Sequence, residues 1–140
     1  MSRATDGPQC LDVPSLATAR GYSHGVIAPA GSRMLFVAGQ IAWNRDEEVV
    51  GEDFATQFGQ ALANVLEVVK VAGGRAEHIT QLTIYVIDKN AYIAQLSEIG
   101  VVYREHMGRH YPAMALVEVR ALLEPRAHVE IQAVAALPAA

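Results

Sequence analysis

An amphipathic stripe that begins after Asp53 constrains the fold more than any other feature of the sequence. Apolar residues recur there at the three- and four-residue spacing of one buried helix face: Phe54, Phe58, Ala61, Leu62, Val65, Val69 and Ala72. Asp53 has the side chain of a helix N-cap, and Gly73-Gly74 can adopt the left-handed backbone that stops a helix. The pattern therefore predicts a long helix with one buried face.

Runs rich in β-branched and aromatic residues lie on both sides of this helix and predict strands. They cover five ranges: 22–28, 33–43, 78–88, 113–122 and 127–137. The turn sequence PAGS separates the first two runs, and LEPR separates the last two. A second helical stripe stops near Gly108 and consists of Tyr92, Leu96, Ile99, Tyr103 and Met107. The predicted order is β-β-α-β-α-β-β.

This order predicts an α+β fold in which two helices cover one face of a sheet of five or six strands. The opposite sheet face also needs cover, because the predicted strands carry apolar residues on both sides. Packing against a second copy of the chain would supply that cover. We therefore predict a homo-oligomer.

The composition is that of one globular domain without a surface for nucleic acid. A chain of 140 residues, 51% hydrophobic and 19% charged, is long enough for a single core. Its 11 basic and 15 acidic residues give a formal charge of -4, and the arginines are scattered. Nucleic-acid binding normally requires a basic stripe, so we expect no nucleic-acid partner.

The N-terminal part of the chain gives expectations about compartment and order. Its single cysteine, Cys10, excludes an intramolecular disulfide, suits a reducing compartment and is interpreted as incidental rather than catalytic. No signal-peptide core or membrane-spanning apolar window is found, so we expect a cytoplasmic protein without a membrane partner. We expect residues 1–20 to form a partly flexible segment and residues 21–140 to form the single domain.

The strand after Pro112 presents two different faces. Ala115 and Val117 lie on a face that is uniformly small and apolar, as a core face should be. Met114 and Leu116 share the other, mixed face with charged residues further along the strand. We therefore expect the Ala115 face to be buried in the core and the Met114 face to line a cleft.

Two polar groups on strands could carry chemistry, and each also has an ordinary structural interpretation. Glu130 is either a general acid/base carboxylate facing a cleft or part of a solvated strand edge. Tyr22, with His24 nearby, either lines a pocket or simply opens the first strand. The sequence pattern alone favours the structural interpretation for both groups.

The remaining histidines do not predict a metal site. His106 and His110 have the four-residue spacing of two zinc ligands on a helix, but no third ligand is evident. Solvated histidines at a helix end, where they suit the helix dipole, are the favoured interpretation. His78 and His128 are expected at the surface, and no metal or other cofactor is predicted.

Six segments together resemble the RidA family, also called the YjgF/YER057c/UK114 family, of reactive-intermediate imine deaminases. They run in order from residue 21 to residue 137: GYSHGV, LFVAGQIAW, DFATQFGQALANVLEVVKVAGG, HITQLTIYVID, VYREHMGRHYPAMALVEV and VEIQAVAAL. The resemblance implies a chorismate-mutase-like fold, a homotrimer with a central β-barrel, and active sites in clefts between subunits. It also implies hydrolysis of enamine or imine intermediates to a keto acid and ammonia without a cofactor.

The resemblance assigns roles to four residues directly. Tyr22 matches the family's pocket tyrosine, and Gly39-Gln40 match its S-G-Q motif. Glu130 matches the carboxylate that positions the attacking water. Trp43 follows the same strand as Gly39 and is expected to help shape the site.

The chain departs from the family pattern where the substrate carboxylate is bound. The family's deaminases have an arginine in P-x-R-S, and this chain has Met114 there, with Leu116 in place of a small residue. A thioether cannot form the bidentate contact of a guanidinium with a carboxylate. Arg20 and Arg120 are the candidates for a replacement anchor, and Arg20 is preferred. Ala38 also replaces the serine before the family's Gly-Gln.

Two functions remain open at this point. The protein is either an imine or enamine hydrolase whose substrate differs from the usual 2-imino acids, or a related trimer that binds a small metabolite or has another pathway-specific activity. Some family members are labelled ribonucleases, and the charge of -4 makes that a weaker third option.

Overall fold

The computed structural model describes residues 7–140 of the chain. Its strands are Gln9–Leu11 (β1), Gly25–Ile27 (β2), Arg33–Gln40 (β3), Ile79–Val86 (β4), Ala113–Glu118 (β5) and Val129–Leu137 (β6). Its α-helices are Phe54–Val71 (α1), Lys89–Ala94 (α2) and Leu96–Met107 (α3), and a 3-10 turn covers Ala76–His78. None of the helices within this range is long and apolar enough to cross a membrane.

Helix α1 has the extent and the caps that its sequence predicts. The Asp53 side chain accepts a hydrogen bond from the backbone N–H of Thr56 at 3.3 Å. At the other end Gly73 has a φ of +89°, and its N–H donates to the Lys70 carbonyl at 3.0 Å. The predicted stripe, including Leu62, Val65 and Val69, is buried except for Ala72 at its end, which is partly buried. This helix packs on β3 and β6.

The main sheet has four strands in the order β3-β6-β4-β5. Only β4 and β5 run parallel, and the other neighbours are antiparallel. The face toward the helices carries the core, which includes Val37, Leu82, Ile84, Ile131 and Ala133. Helix α3 packs against α1 in the same layer. The expected mixed α+β architecture, with the helices on one sheet face, is therefore confirmed.

The six strands form two sheets instead of the single sheet expected. Residues 22–28 contribute only β2, which pairs with β1 in a separate two-stranded ribbon. The Ser23 N–H donates to the Pro112 carbonyl at 3.1 Å, and the Ser23 hydroxyl donates to the Tyr111 carbonyl at 2.5 Å. These bonds hold the segment before β2 against the entry of β5, so it does not extend the main sheet as a full strand.

The second predicted helix is divided at Gln95, whose φ of -117° and ψ of 26° are not helical. The Gln95 side chain accepts a hydrogen bond from the backbone N–H of Ala55 at 2.8 Å. This contact ties the break to the start of α1. The separation of α2 from α3 thus depends on a partner forty positions away in the chain.

The sheet face opposite the helices is open within one chain. Phe36 is 75% exposed there, and Met34 and Val117 are 48% and 43% exposed. The prediction that Ala115 and Val117 form the core face of β5 is wrong, because both residues lie on this open face. Met114 and Leu116 are the register partners of Leu82 and Ile84, so they face the helix layer. The open face thus carries exposed apolar side chains of the kind that the homo-oligomer prediction requires, beside polar residues of β4 and β6 such as Thr83 and Gln132.

Candidate active site

Two adjoining cavities lie between β4, β5 and the helices, and both are lined by Gly21, Ile84, Tyr92 and Met114. The first, here called the Tyr22 chamber, has a volume of about 200 Å³ and is completed by Arg20, Tyr22 and Leu116. The second, the Arg104 chamber, has a volume of about 220 Å³. Its remaining walls are mostly apolar and include Phe58, Leu96, Ile99, Tyr103, Tyr111 and Arg104.

Tyr22 packs against His24, whose ring nitrogens form hydrogen bonds with main-chain groups of the preceding segment. Its ring meets the His24 ring edge-on, with the ring centroids 5.9 Å apart. His24 accepts the Val13 N–H at Nδ1 at 3.2 Å, so Nε2 carries the proton that is donated to the Ala17 carbonyl at 2.9 Å. Both ring nitrogens of His24 therefore have main-chain partners, and the ring packs against Tyr22.

Glu130 lies on β6 with its carboxylate directly over Gly39 of β3. A Cβ at position 39 would overlap Oε2 of Glu130 and lie 2.9 Å from its Cδ. Only glycine therefore leaves room for the carboxylate in this position. Gln40 follows, and its side-chain amide donates to the Ala38 carbonyl at 3.3 Å. The arrangement brings the predicted Gly39 and Glu130 into contact.

The two predicted parts of the site lie on opposite faces of the sheet. Glu130 pairs with Tyr85 across the β4–β6 ladder, whereas Leu116 pairs with Ile84 across the β4–β5 ladder. Successive residues of β4 point to opposite faces, so Glu130 is on the open face and Leu116 is on the helix face. Within one chain, the carboxylate and the Tyr22 chamber do not meet.

The other predicted site residues are distributed unevenly. Arg20 lines the Tyr22 chamber, as expected for a residue next to Tyr22. Arg120 lies beyond the end of β5, is exposed, and lines neither chamber among the described residues. Trp43 forms an isolated bridge with Val49, its carbonyl accepts the Asn64 side-chain amide at 2.9 Å, and it also lines neither chamber.

His78 is buried, and the expectation that it lies at the surface is wrong. Its Nδ1 accepts the backbone N–H of Arg75 at 2.8 Å, within the turn after α1. Burial lowers the pKa of His78, because the protonated ring would lose solvent and this hydrogen bond. His110 contacts the Ile79 carbonyl through Nε2 at 2.7 Å. Residues 7–140 contain no group of three potential metal ligands.

Sequence reasoning missed two residues of the Arg104 chamber. Tyr103 donates its hydroxyl to the His110 carbonyl at 2.6 Å and stacks on Tyr111 with the centroids 5.1 Å apart. Burial raises the pKa of this phenol, so it stays a donor. Arg104 comes next in the chain. From the sequence alone, it could not be distinguished from a charged residue on the solvated face of α3.

The sequence of this chain matches a known protein family. A family model described as Endoribonuclease L-PSP matches residues 14–137. The chain belongs to the RidA family. A RutC family protein from Pasteurella multocida is 34% identical over 102 residues, which cover 73% of this chain and 78% of that protein. The 2-iminobutanoate/2-iminopropanoate deaminase of Escherichia coli is 33% identical with the same coverage.

Solved RidA-family structures agree with the fold described above. A Rid-family protein of unknown function from Yersinia pestis is 32% identical, with a TM-score of 0.83, and the match covers 94% of this chain and 99% of that protein. The YjgF gene product of Escherichia coli is also 32% identical, with a TM-score of 0.66 and coverage of 82% and 87%. Membership of the RidA family, with some relatives named as imine deaminases, supports imine-deaminase-like chemistry.

Proposed function

We propose that this protein is a cytoplasmic, homotrimeric hydrolase that converts a reactive enamine or imine to a carbonyl compound and ammonia without a cofactor. The observation that carries the proposal is the Glu130 carboxylate held over Gly39 on the open sheet face. The single cysteine, Cys10, is consistent with a reducing compartment. The names of the deaminase relatives support the reaction class.

The proposed chemistry needs one carboxylate and one water. Glu130 accepts a proton as water attacks the imine carbon, and a carbinolamine forms. The carboxyl group returns this proton to the imine nitrogen, then takes up the hydroxyl proton of the carbinolamine and passes it to the amine as the C–N bond breaks and the carbonyl forms. Imine and water thus yield carbonyl and ammonia, and the phenol of Tyr22 orients the reacting group. The balance requires no metal and no redox partner.

Packing of copies through the open sheet face explains why the parts of the site lie apart. Phe36, Met34 and Val117 would be covered in the proposed trimer. Glu130 of one subunit would then face the Tyr22 chamber of its neighbour, in a cleft between subunits. We infer that neither half is complete in an isolated chain.

Met114 is the reason to propose an unusual substrate. The position that carries the carboxylate-binding arginine in the family's deaminases is occupied by a thioether that lines both chambers. We therefore propose a substrate that differs from the usual small 2-imino acids. The same observation favours the alternative, a trimer that binds a small metabolite without deaminase activity.

The test is hydrolysis of 2-iminopropionate, generated by a dehydratase acting on serine and trapped competitively by semicarbazide. Wild-type protein, Met114→Arg and Met114→Leu are compared. We expect Met114→Arg to exceed the wild type by tenfold or more on this short substrate, because a guanidinium at position 114 supplies the missing bidentate contact. Met114→Leu controls for the substitution itself. No turnover by any of the three, on short or longer imines, would favour the binding function.

A further inference from the structure

Gly100, a glycine in the middle of α3, lies next to the guanidinium of Arg104. Gly100 lies in the interior of the helix, where glycine is about 1 kcal/mol less favourable than alanine. A Cβ on Gly100 would lie 3.2 Å from a terminal guanidinium nitrogen of Arg104. The guanidinium therefore lies beside the space that a side chain at position 100 would occupy.

Arg104 is exposed overall, and its side chain points back along α3 toward Gly100, away from the terminal carbonyls of the helix. Arg104 is in the last turn of α3, where a cation usually approaches the terminal carbonyls. Its guanidinium instead folds back one turn, toward Gly100 and the Arg104 chamber. None of the three ion pairs found among residues 7–140 includes Arg104. Its charge is thus presented to the chamber without an acidic partner there.

The two chambers share Met114 but differ in their polar groups. Tyr22 and Arg20 line only the first, and Arg104 lines only the second. A molecule that contacts both Tyr22 and Arg104 must therefore pass Met114 and extend along apolar walls such as Tyr111 and Ile99. A two- or three-carbon acid is too short to fill both spaces. The walls suit an aromatic or branched aliphatic body of about the size of a phenyl ring.

We propose that the Arg104 chamber binds the body of the substrate and that Arg104 pairs with its carboxylate. The inference rests on the proposed function and names the substrate class for the same site: an imine whose reacting carbon is separated from a carboxylate by an apolar body. The reacting carbon faces Tyr22, the body lies beside Met114, and the carboxylate reaches the guanidinium. Arg104 is then a specificity-determining residue.

Calorimetric titration of the full-length protein with 3-phenylpropanoate and its neutral amide tests this assignment. We expect the wild type to bind the acid about tenfold or more tightly than the amide, as a charge-assisted hydrogen bond in a partly enclosed site predicts. Arg104→Gln should remove this preference and leave amide binding within about twofold. Propanoate should bind the wild type more weakly than 3-phenylpropanoate, because it leaves the chamber unfilled.

Arg109→Gln is the matched control, since it removes the same charge from an exposed arginine that lines neither chamber. It should retain the preference for the acid. Equal loss in Arg109→Gln and Arg104→Gln, an unchanged preference in Arg104→Gln, or no binding by the wild type would overturn the assignment. Titration needs no turnover, so the two failures are distinguishable: a protein that binds the acid through Arg104 but hydrolyses no imine would refute the proposed function while leaving the binding role of Arg104, and a protein that hydrolyses imines without this preference would refute the Arg104 assignment alone.

Discussion

Gly39→Ala is the sharpest test of the catalytic role proposed for Glu130. The new Cβ would lie 2.9 Å from Cδ and 3.0 Å from Cγ of Glu130, in addition to overlapping Oε2. Carbon atoms in comfortable contact are about 3.5–4.0 Å apart, so the carboxyl group must retreat by roughly 0.5–1 Å. A misplacement of about 1 Å in a reacting group costs on the order of 100-fold in rate. We expect kcat to fall by that factor.

The same substitution should change stability little, which separates displacement from unfolding. Alanine in a strand gains about 0.5–1 kcal/mol over glycine. Moving Glu130 away from its preferred rotamer costs about 0.5–1.5 kcal/mol, so the two effects nearly cancel. The free energy of unfolding, measured by urea denaturation, should therefore stay within about 1 kcal/mol of the wild type.

The assay is imine hydrolysis with semicarbazide trapping, on the imine that the wild type hydrolyses fastest among those that an amino-acid oxidase produces in the presence of catalase. Gly25→Ala is the matched control, because its new Cβ meets only Leu11, at an ordinary distance of 3.7 Å. Glu130→Gln should lose about 100- to 10,000-fold, the range of general acid–base catalysis. If Gly39→Ala hydrolysed the imine as fast as the wild type, the argument that Glu130 acts from its position over Gly39 would be refuted.

Two further predictions address assembly and pH. Phe36→Lys should shift the protein from trimer toward monomer in size-exclusion chromatography with light scattering, because a charge would enter the centre of the proposed interface; a wild type that is already a monomer would contradict the trimer. His78 has a lowered pKa, so near its ordinary value of about 6.5 the unfolded state binds more protons, and stability should fall as the pH drops from 7 to 5. His78→Gln should flatten this dependence by at most about 1.4 kcal/mol per pH unit in urea denaturation, and an identical slope in both proteins would count against it.

Local patterns predicted those parts of the fold that depend on local contacts. Helix α1 follows from its stripe, its Asp53 cap and the Gly73 stop, all within one segment. The division of the second helix could not be predicted, because it accompanies the bond between Gln95 and the N–H of Ala55. Strand β2 was placed in the wrong sheet for the same reason, since Ser23 is tied to Tyr111 and Pro112.

The sequence predicted several residues that line the chambers, but it assigned the two faces of β5 the wrong way round. Alternation along β5 separated Met114 from Ala115 correctly, but it could not tell which face the helices cover. Small apolar residues suit an interface between copies as well as a core, and Ala115 and Val117 lie on the open face. Arg104 was missed because its chamber combines residues from α1, α3, β4 and β5 that are distant in sequence.

The placement of Glu130 and the Tyr22 chamber on opposite faces of one sheet has a genetic consequence. In the proposed trimer, each working site takes its carboxylate from one chain and its binding chamber from another. A chain carrying Glu130→Gln and a chain carrying a blocked chamber would each be inactive alone. Coexpressed, they would form mixed trimers in which some clefts combine the intact half of each chain. Two null alleles of this gene would thus complement each other.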